Sequence, residues 1–281
     1  MRHLRRLRIV AGLVLLIAVS STQVTANTPF ITLASTTSTE QSGLFRHIVP
    51  QFTARTGIEV RVVAVGTGQA FAIGRRGDTD ALLVHHRAGE DEFVAEGYGT
   101  ERRDVMYNDF VLVGPRADPA GVAESRSIKD ALARIAESDS AFVSRGDDSG
   151  THRKELQMWG IADVDPAGPW YRQLGSGMGP TLNIAAAMDA YVLTDRATWL
   201  SFRNRQDLII LFEGDESLFN PYGSIPLNPG RFEWVKADLV QQWHEWLIGE
   251  EGQTAIAEYH IDGEPPFFPM SERAQIAEEF R

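Results

Sequence analysis

The 281-residue chain has no cysteine. That excludes disulfides, a thiol nucleophile, cysteine-held metals and a lipid anchor on an N-terminal cysteine. It also lacks positive charge: the formal net charge is −11, which leaves no basic patch to neutralise phosphates and excludes nucleic acid as a partner. Long apolar runs are absent except for Ile9 to Val19, which follows Arg2, Arg5, Arg6 and Arg8 and precedes the small residues of Val24-Thr25-Ala26. A charged start, a short apolar centre and a small-residue exit predict a cleavable secretory leader over 1–26 rather than a membrane span. Its removal takes away four arginines, so the mature chain carries about −15. No internal repeat or low-complexity tract appears, and no Gly-Lys-Ser/Thr follows Gly66-Thr67-Gly68, which excludes a nucleotide loop there.

What the chain has instead is a series of helix starts suited to an anion. Ser144-Arg145-Gly146-Asp147-Asp148-Ser149-Gly150-Thr151-His152 places one permanent cation, small hydroxyls and two glycines just ahead of a helix that runs toward Trp159. Such a start exposes unpaired backbone N–H groups at the positive end of the helix dipole, and glycine permits close approach. Arg145 adds a planar donor set that matches an oxyanion. The same residues also fit an ordinary capped turn, with Asp147 or Asp148 as cap and Arg145 paired to a carboxylate. A second segment, Ser35-Thr36-Thr37-Ser38-Thr39, joins the short apolar run Phe30 to Ala34 to a helical pattern at Leu44, Phe45, Ile48 and Phe52. Five successive hydroxyls exceed the single one that capping needs. A third, Gly66-Thr67-Gly68, follows the strand-like Ile58 to Val65, and Gly177-Met178-Gly179-Pro180-Thr181 is a weaker fourth. Several such starts in one chain predict helix ends converging on one anion.

Strand and helix patterns alternate along the chain, the signature of parallel α/β sheets. Strands are predicted at Ile58 to Val65, Ala81 to Val84, Val105 to Gly114, Ala141 to Ser144 and Leu208 to Phe212. Met106 to Pro115 is long enough to cross between lobes, and the Gly- and Pro-punctuated stretch Leu208 to Pro229 offers a second crossing. Two crossings predict a discontinuous first lobe (27–110 and 213–281) and an inserted second lobe (111–212). Trp159, Trp234, Trp243 and Trp246 lie on helical patterns and are expected in the core.

Ser35-Thr36-Thr37-Ser38-Thr39 with Ser42-Gly43-Leu44, Val84-His85-His86-Arg87-Ala88, the Ser144 to His152 segment, Glu213-Gly214-Asp215 and Asn220-Pro221-Tyr222 together resemble the tungstate-binding proteins of the TupA type. The resemblance covers essentially the whole mature chain. It departs at Ser35, where relatives usually carry threonine, and at His86, where an acidic residue is common. It implies a two-lobe type II periplasmic binding-protein fold, α/β in class, that hands tungstate or molybdate to the membrane permease of an ABC importer, the receptor itself being a monomer without cofactor. It further implies that Thr36, Thr37 and Ser38 bind from one loop and Thr67 with Gly68 from the next. From the inserted lobe it implies Arg145, Ser149, Gly150, Thr151 and Thr181. A fully deprotonated dianion calls for donors alone, which these groups supply.

Two other readings are open to the sequence. The Arg-Gly-Asp-Asp-Ser-Gly-Thr segment also resembles the anion loop of phosphate-binding proteins, in which an aspartate accepts the proton of the bound ion, and Asp147 or Asp148 could serve; the alternative is thus a phosphate- or sulfate-binding protein of the same fold. A secreted hydrolase using Ser149, with His152 as base, is the reading from another class, although Asp147 and Thr151 stand where a nucleophile elbow needs glycine. His85 and His86 are adjacent, so on a strand they point to opposite faces; they are expected as one buried and one exposed imidazole rather than as a metal pair.

Overall fold

The computed structural model describes residues 28–270; the leader expected at 1–26 lies outside the described residues. The chain begins β1 (Phe30–Thr36), α1 (Thr37–Gln41), α2 (Leu44–Thr56), β2 (Glu59–Val65), α3 (Thr67–Arg76), β3 (Ala81–Val84), α4 (Arg87–Ala95) and β4 (Arg103–Pro115). It continues α5 (Ile128–Glu137), β5 (Phe142–Ser144), α6 (Gly150–Ala162), β6 (Tyr171–Gln173), α7 (Met178–Met188), β7 (Val192–Asp195), α8 (Arg196–Ser201) and β8 (Leu208–Phe212). It ends with β9 (Phe219–Pro226), α9 (Ala237–Ile248), α10 (Glu250–Ala257) and β10 (Phe268–Pro269).

One strand ties the molecule together. From Arg103 to Asp109, β4 pairs with β9; from Phe110 onward it pairs with β7 and β8 instead. Its first half belongs to the sheet β10-β4-β9-β3-β1-β2. Alternation along these strands sends side chains to opposite faces. Leu33 and Leu83 pack with Leu44, Phe52 and Trp243 from α2 and α9, whereas Ala34, Leu82 and Val84 pack with Phe71 and Phe93 from α3 and α4. The second half of β4 is sandwiched in the same way. Leu112, Phe142 and Leu193 meet α5 and α6, while Val111, Val113 and Val143 meet α7 and α8.

The α/β architecture expected from the alternating pattern forms, with parallel and antiparallel pairs mixed. β1 is parallel to β2 and β3, and β5 to β6, but β9 and β4 run antiparallel to their neighbours. The reason is β9, which sits between β3 and β4 although Pro221, Gly223 and Pro226 argue against a strand. Burial of six of its eight residues overrides that local preference. Gly223 is required there: a Cβ would lie 2.4 Å from Glu90 Oε2 and 2.8 Å from Arg102 Nε, whose buried ion pair crosses over it. Trp234 also departs from expectation. It is 64% exposed, lies ahead of α9 and donates its ring N–H to the Gly77 carbonyl, whereas Trp159 and Trp243 are core.

Candidate anion site

β1, β2, β3 and β5 all deliver the chain, at their carboxyl ends, to the start of a helix. Open α/β sheets bind ligands at that edge. The loops enclose a cavity of about 650 Å³ lined by Thr36, Thr37, Ser38, Gly66, Thr67 and Gly68 on one side and Arg145, Asp147, Asp148, Ser149, Gly150 and Thr151 on the other. The two sides come close: a Cβ placed on Gly150 would stand 3.9 Å from Thr67 Oγ1. A liquid water occupies about 30 Å³, so the cavity has ample room for a tetrahedral oxyanion.

The five hydroxyls from the end of β1 into α1 divide their work. Ser35 is buried and donates to the Leu83 carbonyl, which ties β1 to β3 and takes it out of the site. Thr36 caps α1, its Oγ1 accepting from Thr39 N–H at 3.3 Å and lying 2.7 Å from Thr39 Oγ1. Thr37 and Ser38 line the cavity at the first turn. Gly66, the cap of α3, offers no side-chain acceptor, so the first N–H groups of that helix, beside Thr67 and Gly68, are left to the cavity.

On the opposite side the loop after β5 is shaped by two unusual conformations. Gly146 has φ +61°, and a Cβ on it would press on Gln173 Cβ at 2.8 Å, so this turn against β6 is open only to glycine. Asp148 takes φ +57°, a left-handed position aspartate tolerates. Arg145 donates to Asp147 at 2.6 Å, while its Nε is buried without a partner. Asp147 accepts from Arg145 with one oxygen and from the Ser149 N–H with the other. Burial opposes its ionisation, but those hydrogen bonds prevail and hold the carboxyl below its ordinary range. Asp148 is bound by both arms of Arg153, which likewise lowers its pKa. Ser149 caps α6 by accepting from His152 N–H, and His152 Nδ1 accepts from Asp148 N–H. Ser149 and His152 are thus engaged with backbone rather than with each other, and the hydrolase arrangement is not assembled.

Two expectations about the site change. Thr181 lies outside the cavity lining: it is fully buried and donates back to the Gly177 carbonyl one turn earlier in α7. The fourth helix start is α4 instead, and both histidines before it line the cavity, each half-buried. The reading of one buried and one exposed imidazole fails because the strand ends at Val84, so the two-residue alternation no longer governs them. His86 takes the N-cap position of α4 without a capping side chain, which is why no hydroxyl signal marked this helix start. Burial lowers the pKa of both, and Arg153 adds to the effect at His86.

This fold, with a cleft of helix starts at the strand ends, defines a substrate-binding protein of the periplasmic type, and the PBP superfamily domain matches residues 20–251. A "Tungstate-binding protein TupA" from Peptoclostridium acidaminophilum is 49% identical over 85% of this chain and 85% of its own length. Among solved structures, the tungstate-binding protein TupA of Desulfovibrio alaskensis G20 aligns with a TM-score of 0.79 at 43% identity, covering 86% of this chain and 98% of that one. The tungstate ABC transporter structure from Geobacter sulfurreducens aligns with a TM-score of 0.75 at 48% identity, covering 82% and 98%. The chain belongs to the TupA family of binding proteins, a two-lobe, non-enzymatic group.

Proposed function

We propose that this protein is the substrate receptor of an ABC importer and that it binds tungstate, with molybdate as its near-isosteric analogue, in the cleft. Thr36, Thr37, Ser38, Thr67 and Gly68 bind from one lobe, and Arg145, Ser149, Gly150 and Thr151 from the other. The lobes are 27–110 with 213–281, and 111–212; the partner change of β4 between Asp109 and Phe110 and the end of β8 at Phe212 support those bounds. The mature receptor works as a periplasmic monomer, released by cleavage of the leader and docking on the permease subunits. Its negative net charge gives no long-range attraction to an anion, but salt screens that field over about 8–10 Å while the contacts in the cleft are local.

The observation that carries this reading is the state of the two carboxylates. Asp147 and Asp148 border the cavity, yet both are occupied by donors of their own loop and the next turn. A hydrogen phosphate needs an acceptor for its proton, and each of these carboxylate oxygens already serves a protein donor that holds it in its own loop. A fully deprotonated tetrahedral dianion needs only N–H, O–H and guanidinium groups, which is what the helix starts and Arg145 provide. Ligand contact with both lobes favours the closed arrangement by binding it preferentially. Calorimetric titration of the chain from Asn27 onward with tungstate, molybdate, sulfate and phosphate tests this. Tight binding of tungstate and molybdate with no heat from phosphate is the expected result; phosphate binding would overturn it.

A further inference from the structure

Behind the first anion loop lies a line of polar groups that capping and packing do not require. His85 Nε2 is 3.2 Å from Thr36 Oγ1, and its Nδ1 is 3.3 Å from Asn220 Oδ1. Asn220 in turn donates its amide to Asn108 Oδ1 at 2.6 Å, across to β4. The ring stacks on Tyr222 at 4.5 Å, so His85 cannot turn away without losing that contact. Asn220 is buried and offers an oxygen, so Nδ1 carries a proton, and in the neutral ring Nε2 is then an acceptor.

The consequence falls on the hydroxyls. Thr36 has one proton to give, and Oγ1 has four neighbours: His85 Nε2, Thr39 N–H, Thr39 Oγ1 and Ser38 Oγ, the last at 3.1 Å. With neutral His85, Thr36 gives its proton to the imidazole, and its two lone pairs take two of the three neighbouring donors, the Thr39 N–H and the Thr39 and Ser38 hydroxyls. The cluster then turns its donors inward and its lone pairs toward the cavity, which an oxyanion opposes. A second proton, on Nε2, reverses the order. Imidazolium donates to Thr36 Oγ1, the Thr36 hydroxyl is released toward an anion oxygen, and Ser38 is free to follow.

We propose that His85 is a positioning residue that sets the direction of the Thr36 and Ser38 hydroxyls, and that each oxyanion bound brings one proton from water onto His85 Nε2. This rests on the anion-site reading above. Both ring nitrogens are engaged, with Thr36 and with Asn220, so His85 acts on the anion through Thr36. The surrounding groups fit such a role. Burial lowers the pKa of the ring from its ordinary 6.5, which keeps it neutral in the free receptor at neutral pH; the Asp195 carboxylate at the end of β7 and the Asn220 hydrogen bond oppose that, and His86 adds to it. Tyr222 on β9 stays a neutral phenol. Arg87 on α4, Arg153 and Lys154 on α6 share a smaller adjoining cavity with His85, the two arginines being paired with Asp91 and Asp148, while Arg75, Glu92 and Arg145 line the main cavity with it. Glu90, further along α4, is held to His86 N–H and Arg102, and burial raises it to about 7. A bound dianion adds the missing negative charge and raises the pKa of His85.

The sign follows from linkage. Between the lowered pKa of the free protein and the raised pKa of the complex, affinity falls as pH rises, by about tenfold in Kd per pH unit for one coupled proton. Tungstate titrations of the native chain across the range in which histidine titrates read that slope, and repeating them in two buffers of different ionisation enthalpy counts the proton taken up without any substitution. The expected result is uptake approaching one proton per tungstate, a slope that persists in His86→Gln, and a flat profile in His85→Gln, whose amide does not titrate. Tight tungstate binding with no slope and no proton uptake overturns this inference alone, as does a slope that survives His85→Gln, which would assign the proton to Glu90 or another group. Absence of tungstate binding at every pH overturns the anion-site reading instead.

Discussion

The wall formed at the ends of β1 and β2 presents Thr36, Thr37, Ser38 and Thr67 on two helix starts, whereas the wall after β5 presents the ion pairs Arg145–Asp147 and Arg153–Asp148. The first wall offers neutral dipoles that need no counter-charge: the backbone N–H groups are fixed by their helices, whereas the Thr36 and Ser38 hydroxyls can turn. The second carries full charge, and each cation is held by a carboxylate close to it in sequence. An incoming dianion competes with Asp147 for Arg145, so the Coulombic gain from this wall is partly offset by the pair it disturbs. On the proposed reading, affinity leans on Arg145, while the choice of fully deprotonated ions rests on the engaged carboxylates and on the hydroxyl donors of the first wall.

Removing the charge should break the comparison most. Arg145→Ala is expected to weaken tungstate by about 100-fold or more, since truncating one partner of a charge-assisted contact costs several kcal/mol. Calorimetry measures the change, and an unchanged thermal transition in the same variant shows that the fold is intact. Native affinity in Arg145→Ala would place the counter-charge elsewhere. Thr67→Ala tests the neutral wall at its closest approach to Gly150. One hydroxyl donated to a charged acceptor corresponds to about tenfold in Kd, so the loss should be clearly smaller than for Arg145.

These features were not equally legible in the sequence. Hydroxyl and glycine residues announced the starts of α1, α3 and α6 because their chemistry is local: a cap or a close approach needs a particular residue at a particular position. The start of α4 carried no such mark, since His86 occupies the cap position and the role of His85 depends on Asn220 and Asn108, which are 135 and 112 residues apart from their respective partners. β9 was hidden for the same reason. Its prolines read as punctuation, and only burial between β3 and β4 makes it a strand. The crossing strand showed itself as an unusually long apolar run, but its change of partners at Asp109 and Phe110 is a tertiary fact. Thr181 shows the converse error, where a residue of the right type in a plausible turn spends its hydroxyl on its own helix.

Ser149→Ala sharpens the contrast between side-chain and backbone donors within the charged wall. Its Oγ accepts from His152 N–H at 3.3 Å, so it serves the helix before it serves a ligand. Losing an N-cap costs about 1 kcal/mol of stability, while the backbone N–H groups of α6 remain in place. A threefold or smaller rise in Kd, with the thermal midpoint lowered by a few degrees, is the expected pair of readings. Loss of binding in a folded Ser149→Ala variant would make the hydroxyl a principal ligand and move weight from the helix dipole to the side chain.

Thr181→Ala should have the smallest effect and tests where the inserted lobe's wall ends. Thr181 is fully buried on α7, outside the cavity, and its hydroxyl returns to the Gly177 carbonyl. A threonine in that posture gives its helix no net gain over alanine, because the bond replaces one that the carbonyl makes elsewhere and the β-branch costs rotamer freedom. Tungstate affinity should stay within experimental error of the native value. A drop of tenfold or more would require α7 to swing its first turn into the cleft when the anion binds, joining α1, α3, α4 and α6 as a fifth helix start at the ligand.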